Sequence, residues 1–211
     1  ASPTRGTISR RSKPPRPPEA GSPGERCLAT GRMRDLRLGD LLETVPILEE
    51  DPGTAALIHR LRHVKRAGGF SRAELLAMCR WKSPRALPQC RRNPAPRIRA
   101  VSRAVLTTRS ERRRMEQLTA LRGVSVPMAS AILTLLDPRR YGVLDIRVWQ
   151  LLFALRSVGV NARGRGFTVD QWLGYLRELR RHARACGVTP RALEWTLFCH
   201  HRAAQTGRLY S

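Results

Sequence analysis

The chain has 211 residues, of which 41% are hydrophobic, and this suits one folded domain or two small lobes that share a core. No apolar run approaches the ~18 residues of a membrane span, so we expect no membrane partner and a cytoplasmic protein. The 40 basic and 16 acidic residues give a formal net charge of +24, which argues against an enzyme for neutral small molecules and favours a polyanionic partner.

Residues 1–34 predict an unfolded basic tail, because they are rich in Pro, Arg, Ser and Gly and contain few residues that form a core. The remainder, residues 35–211, is expected to fold. Apolar residues at helical spacing between Leu57 and Val64 predict a helix that stops at Gly68-Gly69. Ser71 and Glu74 then form a capping box that opens the next helix.

Further helices follow along the rest of the chain. Ile98, Val101 and Val105 mark one helical face, and Ser110 caps the helix after it. Capping signals recur at Thr168–Gln171 and at Thr189-Pro190, ahead of the last two helices, where Trp172, Tyr175 and Trp195 are expected in the core. No alternating strand of useful length occurs, so the predicted fold class is all-α.

The segment between Leu118 and Trp149 is the most informative part of the chain. A helix ends at Gly123, a short apolar hairpin follows at residues 124–126, and a second helix rich in alanine starts at Pro127. Glycine lets a phosphate approach the backbone, and a helix N-terminus attracts it. Asp145 follows inside an apolar strip, where an acid needs a partner or a function. An ordinary helical hairpin with a glycine cap, and an N-cap role for Asp145, are the alternatives.

This order of hairpin and aspartate resembles the helix-hairpin-helix DNA glycosylase superfamily. The resemblance implies a two-lobed helical bundle with a DNA groove between the lobes. One lobe, at about residues 71–144, would hold the hairpin, and the other would combine residues 35–70 with residues 145–211. It further implies double-stranded DNA as the partner and a monomer at the bacterial nucleoid.

In the family, the aspartate stabilises positive charge at C1′ of a flipped nucleotide and orients or deprotonates the attacking water, and Asp145 takes this place. Members with a hairpin lysine also nick the strand. No lysine follows Lys82, so a monofunctional enzyme is expected, with an amine from Lys82 as the less favoured alternative. The cysteines that hold an iron–sulfur cluster in some members are missing, and we expect no cofactor and no metal.

The remaining site residues are carried over in two groups. Phosphate or backbone contacts are expected from the hairpin and the arginines around it, namely Arg122, Gly123, Val124, Ser125, Val126, Arg139, Arg140 and Arg147. A base pocket or wedge is expected from the end of the earlier helix, at Trp81, Lys82, Ser83 and Arg85. A core position for Trp81 and solvated arginines are the alternatives.

The predicted function is therefore removal of a damaged or modified base by hydrolysis, leaving an abasic site, either in base excision repair or against a phage-borne modified base. Two other functions stay open from the residues alone. The first is a non-catalytic helix-hairpin-helix DNA-binding protein. The second is a helical RNA-binding or ribosome-associated protein, since a net charge of +24 suits RNA equally well.

Overall fold

Every regular element between residues 37 and 205, the range that the computed structural model describes, is a helix. This confirms the all-α class for that range, and the predicted tail at residues 1–34 lies outside it. In chain order the helices are α1 (Leu38–Thr44), α2 (Pro52–Leu61), α3 (Val64–Ala67), α4 (Arg72–Lys82), α5 (Leu87–Cys90), α6 (Ala95–Thr107), α7 (Glu111–Thr119), α8 (Val126–Leu136), α9 (Ile146–Ala154), α10 (Val169–Ala185) and α11 (Pro190–Ala204). Each of them is too short or too polar to cross a lipid bilayer.

The helix starts follow the capping signals of the sequence. Ser71 accepts from the Glu74 N–H at 3.3 Å, and the Glu74 carboxylate accepts from the Ser71 N–H at 2.6 Å, so the predicted capping box of α4 is present. Thr168 and Gln171 form the same reciprocal pair at the start of α10. Helix α4 ends at Lys82, directly ahead of Ser83-Pro84, where proline disfavours further helix.

Helix α8 lies at the centre of the fold. It packs against α2, α4, α7 and α10, and all its residues from Met128 to Leu135 are buried. A helix that is apolar on every side is stable only when it is surrounded by protein. Ala129 and Ala131 have small side chains that let neighbouring helices approach, so the hairpin preceding α8 is anchored in the core rather than carried on a loose loop.

Candidate active site

The extended segment between α8 and α9 is held by three helices at once. Leu144 donates its N–H to Ser130 Oγ of α8 at 2.8 Å. Val143 donates its N–H to the Glu194 carboxylate of α11 at 3.1 Å, and its carbonyl accepts from the Tyr175 hydroxyl of α10 at 2.7 Å. Buried backbone groups need such partners. The backbone that leads into α9 is therefore fixed from three directions.

Gly142 begins this segment at a place where no side chain fits. A Cβ atom there would meet the Leu179 side chain, the Glu194 Cβ at 2.9 Å and the Pro190 carbonyl oxygen at 3.0 Å. Contacts of this kind force the backbone of one partner to shift. Glycine is consequently what allows α10 and α11 to close on the segment.

Asp145 stands at the end of this segment and caps α9. Its Oδ1 accepts from the Arg147 N–H at 3.0 Å, so the N-cap alternative of the sequence analysis is confirmed. Its Oδ2 accepts from Lys82 Nζ at 2.7 Å, and the two side chains are only 18% and 19% exposed. One oxygen of the Asp145 carboxylate therefore caps the helix, and the other forms an ion pair with Lys82.

The environment keeps Asp145 ionised. Burial would raise the pKa of this carboxyl, but the Lys82 charge and hydrogen bond, together with the Arg147 N–H, outweigh burial and hold the pKa below its ordinary value of 3.8. The resulting ion pair stabilises the folded protein above the ordinary aspartate pKa, and this stabilisation is lost as pH falls through the lowered pKa.

Replacing Lys82 with methionine should raise the pKa of Asp145 relative to the wild type, because the charge and hydrogen bond that lower this pKa are removed while burial still raises it. A ¹³C NMR titration of the Asp145 carboxyl carbon measures the change directly. Lys65→Met is the matched control, since Lys65 forms an ion pair of the same 2.7 Å length with Asp137. An Asp145 midpoint that is unchanged in Lys82→Met, or that moves equally in Lys65→Met, would contradict this electrostatic interpretation.

Asp145 opens into a cavity of about 510 Å³ that we call the hairpin cavity. Its walls come from the end of α4, from the hairpin with the start of α8, and from the loop after α9. The predicted site residues among them are Lys82, Ser83, Arg85, Ser125, Val126 and Asp145. The structure thus brings together two groups of predicted residues that lie about 40 to 60 positions apart along the chain.

The Asn93 side chain holds the backbone at the start of the hairpin. The Asn93 side chain accepts from the Arg122 N–H and donates to the Arg122 carbonyl oxygen, both at 2.9 Å. Gly123 has a φ of 79° and lies against Gln89 and Cys90, where a Cβ would come within 2.9 Å of either residue. Val124 is buried beneath it. These contacts fix the hairpin backbone before any ligand arrives.

The start of α8 faces the hairpin cavity without a side-chain cap. Ser125 is the N-cap residue, but its side chain accepts no hydrogen bond from the helix. Val126, Pro127 and Met128, which form the first turn, line the cavity. A helix N-terminus in this condition offers N–H groups and a partial positive charge to an anion such as a phosphate.

A second cavity, of about 330 Å³, is also lined by Lys82 and Asp145. We call it the aromatic cavity. Trp81, Trp195 and Phe198 form its apolar walls. The rings of Trp195 and Phe198 are stacked, with centroids 5.6 Å apart and an angle of 13° between their planes. The cavity therefore has three aromatic side chains and a carboxylate among its lining residues.

Arg191 also lines the aromatic cavity. Its guanidinium lies over the rings of Trp81 and Trp195, with 5.6 and 5.2 Å between the guanidinium carbon and the ring centroids. It also binds both Glu50 oxygens, at 2.6 and 2.8 Å, and pairs with Glu194. Trp81 is further fixed by a 2.9 Å hydrogen bond from its Nε1 to Thr54 Oγ1. The aromatic walls are therefore held in place by a buried network.

Four of the predicted arginines lie away from the hairpin cavity walls, and one of them, Arg122, is exposed beside the hairpin. Arg140 binds Glu111 at 2.9 Å and stacks on Tyr141, and Arg139 is exposed; neither lines either of the two cavities. Arg147 lies over the Phe198 ring at 5.7 Å. Its backbone N–H donates to Asp145, and its positive charge also lowers the pKa of that carboxyl.

Sequence reasoning missed two parts of the site. The loop Gly164–Phe167 lines the hairpin cavity opposite α8, and its Arg-Gly-Arg-Gly pattern at residues 163–166 was the available signal. Trp195, expected in the core, is instead half-buried along the aromatic cavity together with Phe198 and Arg202. Helical spacing places Trp195 and Phe198 on one face, but it does not indicate whether that face lines a cavity.

Comparison with models of protein families, with curated proteins and with solved structures finds no match for this chain. The geometry of the two cavities is therefore the basis on which a function is assigned.

Proposed function

We propose that the chain is a DNA N-glycosylase that hydrolyses the bond between a damaged or modified base and its deoxyribose. The observation that carries this proposal is that Asp145 lines both cavities. One cavity is also lined by a helix N-terminus and basic side chains, and the other by aromatic side chains. A nucleotide whose base has left the duplex likewise carries a phosphate and a flat base on one sugar.

The hairpin cavity suits the sugar-phosphate backbone. The uncapped start of α8 supplies N–H groups, while Lys82, Arg85 and Arg165 bring positive charge to the cavity walls. The net charge of +24 adds long-range attraction to duplex DNA, which weakens as salt rises. In this proposal the DNA follows a groove between a hairpin lobe and a second lobe, which combines α1 to α3 with α9 to α11.

The aromatic cavity suits the extruded base. Its volume of about 330 Å³ falls in the range of small-ligand pockets, ~300–1,000 Å³. Stacking between a base and an aromatic side chain contributes ~1–3 kcal/mol and tolerates different bases. Asp51 and Arg202 stand at the same walls and offer an acceptor and a donor to the edge of a base.

Asp145 supplies the chemistry. As the bond between C1′ and the base breaks, positive charge develops on the sugar ring, and a fixed carboxylate beside it stabilises this charge. The same carboxylate orients the attacking water or takes its proton. Its lowered pKa keeps it ionised at neutral pH. The hairpin has no lysine, so water is the nucleophile that releases the base.

The test is to incubate the protein with duplex DNAs carrying alkylated, oxidised or hydroxymethylated bases, and with genomic DNA that contains each modification. Mass spectrometry of the supernatant measures the free bases, and alkaline cleavage of the duplex measures abasic sites. We expect both signals, in equal amounts, for at least one modification. Binding to duplex DNA without release of any base would instead favour the non-catalytic binding protein, and preference for structured RNA in competition would favour the RNA-binding alternative.

A further inference from the structure

Lys82 is a primary amine held inside the site. It is the last residue of α4, its Nζ lies 2.7 Å from Asp145 Oδ2, and it lines both cavities. The chain has three lysines, Lys13, Lys65 and Lys82. Among residues 37–205, the other lysine is Lys65, which is 53% exposed and bound to Asp137. Lys82 is therefore the amine that any group entering these cavities would meet.

We propose that Lys82 attacks the abasic product, so that the protein also cleaves the DNA strand at the site from which it has released a base. This inference rests on the proposed function for the origin of that product. The sequence predicts no such step through the hairpin, and the amine lies on α4 instead. Hydrolysis of the glycosidic bond leaves a sugar whose open form has an aldehyde at C1′, and a neutral lysine amine adds to aldehydes.

Each step of this reaction balances with the groups present. The Lys82 ammonium releases a proton to solvent, and the neutral amine adds to the C1′ aldehyde to form a carbinolamine. Solvent returns a proton to the carbinolamine hydroxyl, which leaves as water and gives an iminium between Nζ and C1′. Asp145 then takes a proton from C2′, the C3′–O bond breaks, and the 3′ phosphate departs with the electron pair. Water hydrolyses the remaining imine and restores the amine.

The residue type at position 82 supports this role over a purely structural ion pair. The chain uses 37 arginines and three lysines for its 40 basic residues. Arginine forms the stronger bidentate pair with a carboxylate, but its guanidinium does not lose its proton in proteins and cannot form an imine. A lysine at this position therefore supplies the nucleophile that an arginine could not.

The experiment uses the full chain and a duplex that already contains one abasic site, so that no base has to be removed. Sodium borohydride reduces an iminium to a stable amine. We expect a covalent protein–DNA complex and, without borohydride, cleavage of the strand on the 3′ side of the abasic site. Lys82→Arg keeps a positive charge beside Asp145 and should lose the covalent complex. The matched variant Lys65→Arg should form as much of it as the wild type.

Peptide mapping makes the test independent of the variants. After trypsin digestion and nuclease treatment, the sugar remnant should be found on a peptide spanning residues 81–85, because trypsin does not cut after a modified lysine. Thermal unfolding and binding to the abasic duplex verify that Lys82→Arg is folded. A wild type that forms no complex, a Lys82→Arg variant that still forms one, or a remnant on Lys13, Lys65 or the terminal amine would overturn the proposal.

The outcome separates the two proposals. Release of bases without trapping on the abasic duplex rejects the role of Lys82 and leaves the glycosylase intact. Trapping on the peptide of residues 81–85 without release of any base supports the role of Lys82 and rejects the proposed glycosylase.

Discussion

Replacing Asp145 with asparagine is expected to lower the rate of base release by about 10²–10⁴-fold, the contribution typical of a positioned general base. Asparagine has almost the same shape and is an equally good N-cap, so α9 should keep its start. The variant loses the Lys82–Asp145 ion pair, so its stability should fall, and the assay is run well below its unfolding temperature. The change removes the negative charge alone. Single-turnover release of the base, identified as described above, measures the effect.

Binding should persist in this variant. The loss of one negative charge beside Lys82 leaves the site more positive, so affinity for duplex DNA should stay the same or increase. Asp137→Asn is the matched control, because Asp137 also pairs with a lysine at 2.7 Å but lines neither of the two cavities around Asp145. If Asp145→Asn keeps most of the activity, or if Asp137→Asn loses as much, the assignment of Asp145 is wrong.

Replacing Arg191 with methionine is expected to destabilise the fold by about 3–5 kcal/mol, the usual cost of leaving a buried charge without its partner. Glu194 is only 2% exposed, and Arg191, which pairs with it, also lines the aromatic cavity. The Glu194 carboxylate also accepts from the Val143 N–H, so its displacement would disturb the segment ahead of Asp145. Urea denaturation followed by circular dichroism measures the loss.

The loss of stability caused by Arg191→Met should depend on pH. Burial raises the pKa of Glu194, although Arg191 opposes this effect in the wild type. Without Arg191 the pKa rises further. A carboxyl whose pKa is raised in the folded state makes the folded protein less stable as pH rises through that pKa. The loss of stability caused by Arg191→Met should therefore grow with pH and shrink in acid. The double variant Arg191→Met with Glu194→Met should recover part of the stability, since the unpaired buried charge is removed while the Val143 N–H loses its acceptor.

An exposed ion pair provides the control for Arg191→Met. Arg112 pairs with Asp170 at the surface, where their side chains are 46% and 77% exposed. Arg112→Met removes the same type of side chain and should change stability little. Equal losses in the two variants would show that the buried network around Glu194 has no special importance.

The sequence by itself determined the helices and how they begin. Capping boxes at Ser71 and Thr168 depend on hydrogen bonds within one helical turn, and such contacts form from neighbouring residues whatever the rest of the chain does. The glycine of the hairpin and the apolar residues of α8 can likewise be recognised from short stretches of sequence. An acid inside an apolar strip marked Asp145 as a residue in need of a partner, but it did not identify that partner.

Only the tertiary structure decided what surrounds Asp145. Lys82 lies 63 positions away, and Glu50 reaches Arg191 across 141 positions. Trp195, which the helical pattern placed in the core, lines a cavity because α11 packs against α9 and α10 and presents one face to the end of α4. Periodicity shows which side chains share a face of a helix, but what that face meets depends on the packing of helices that are distant in the chain.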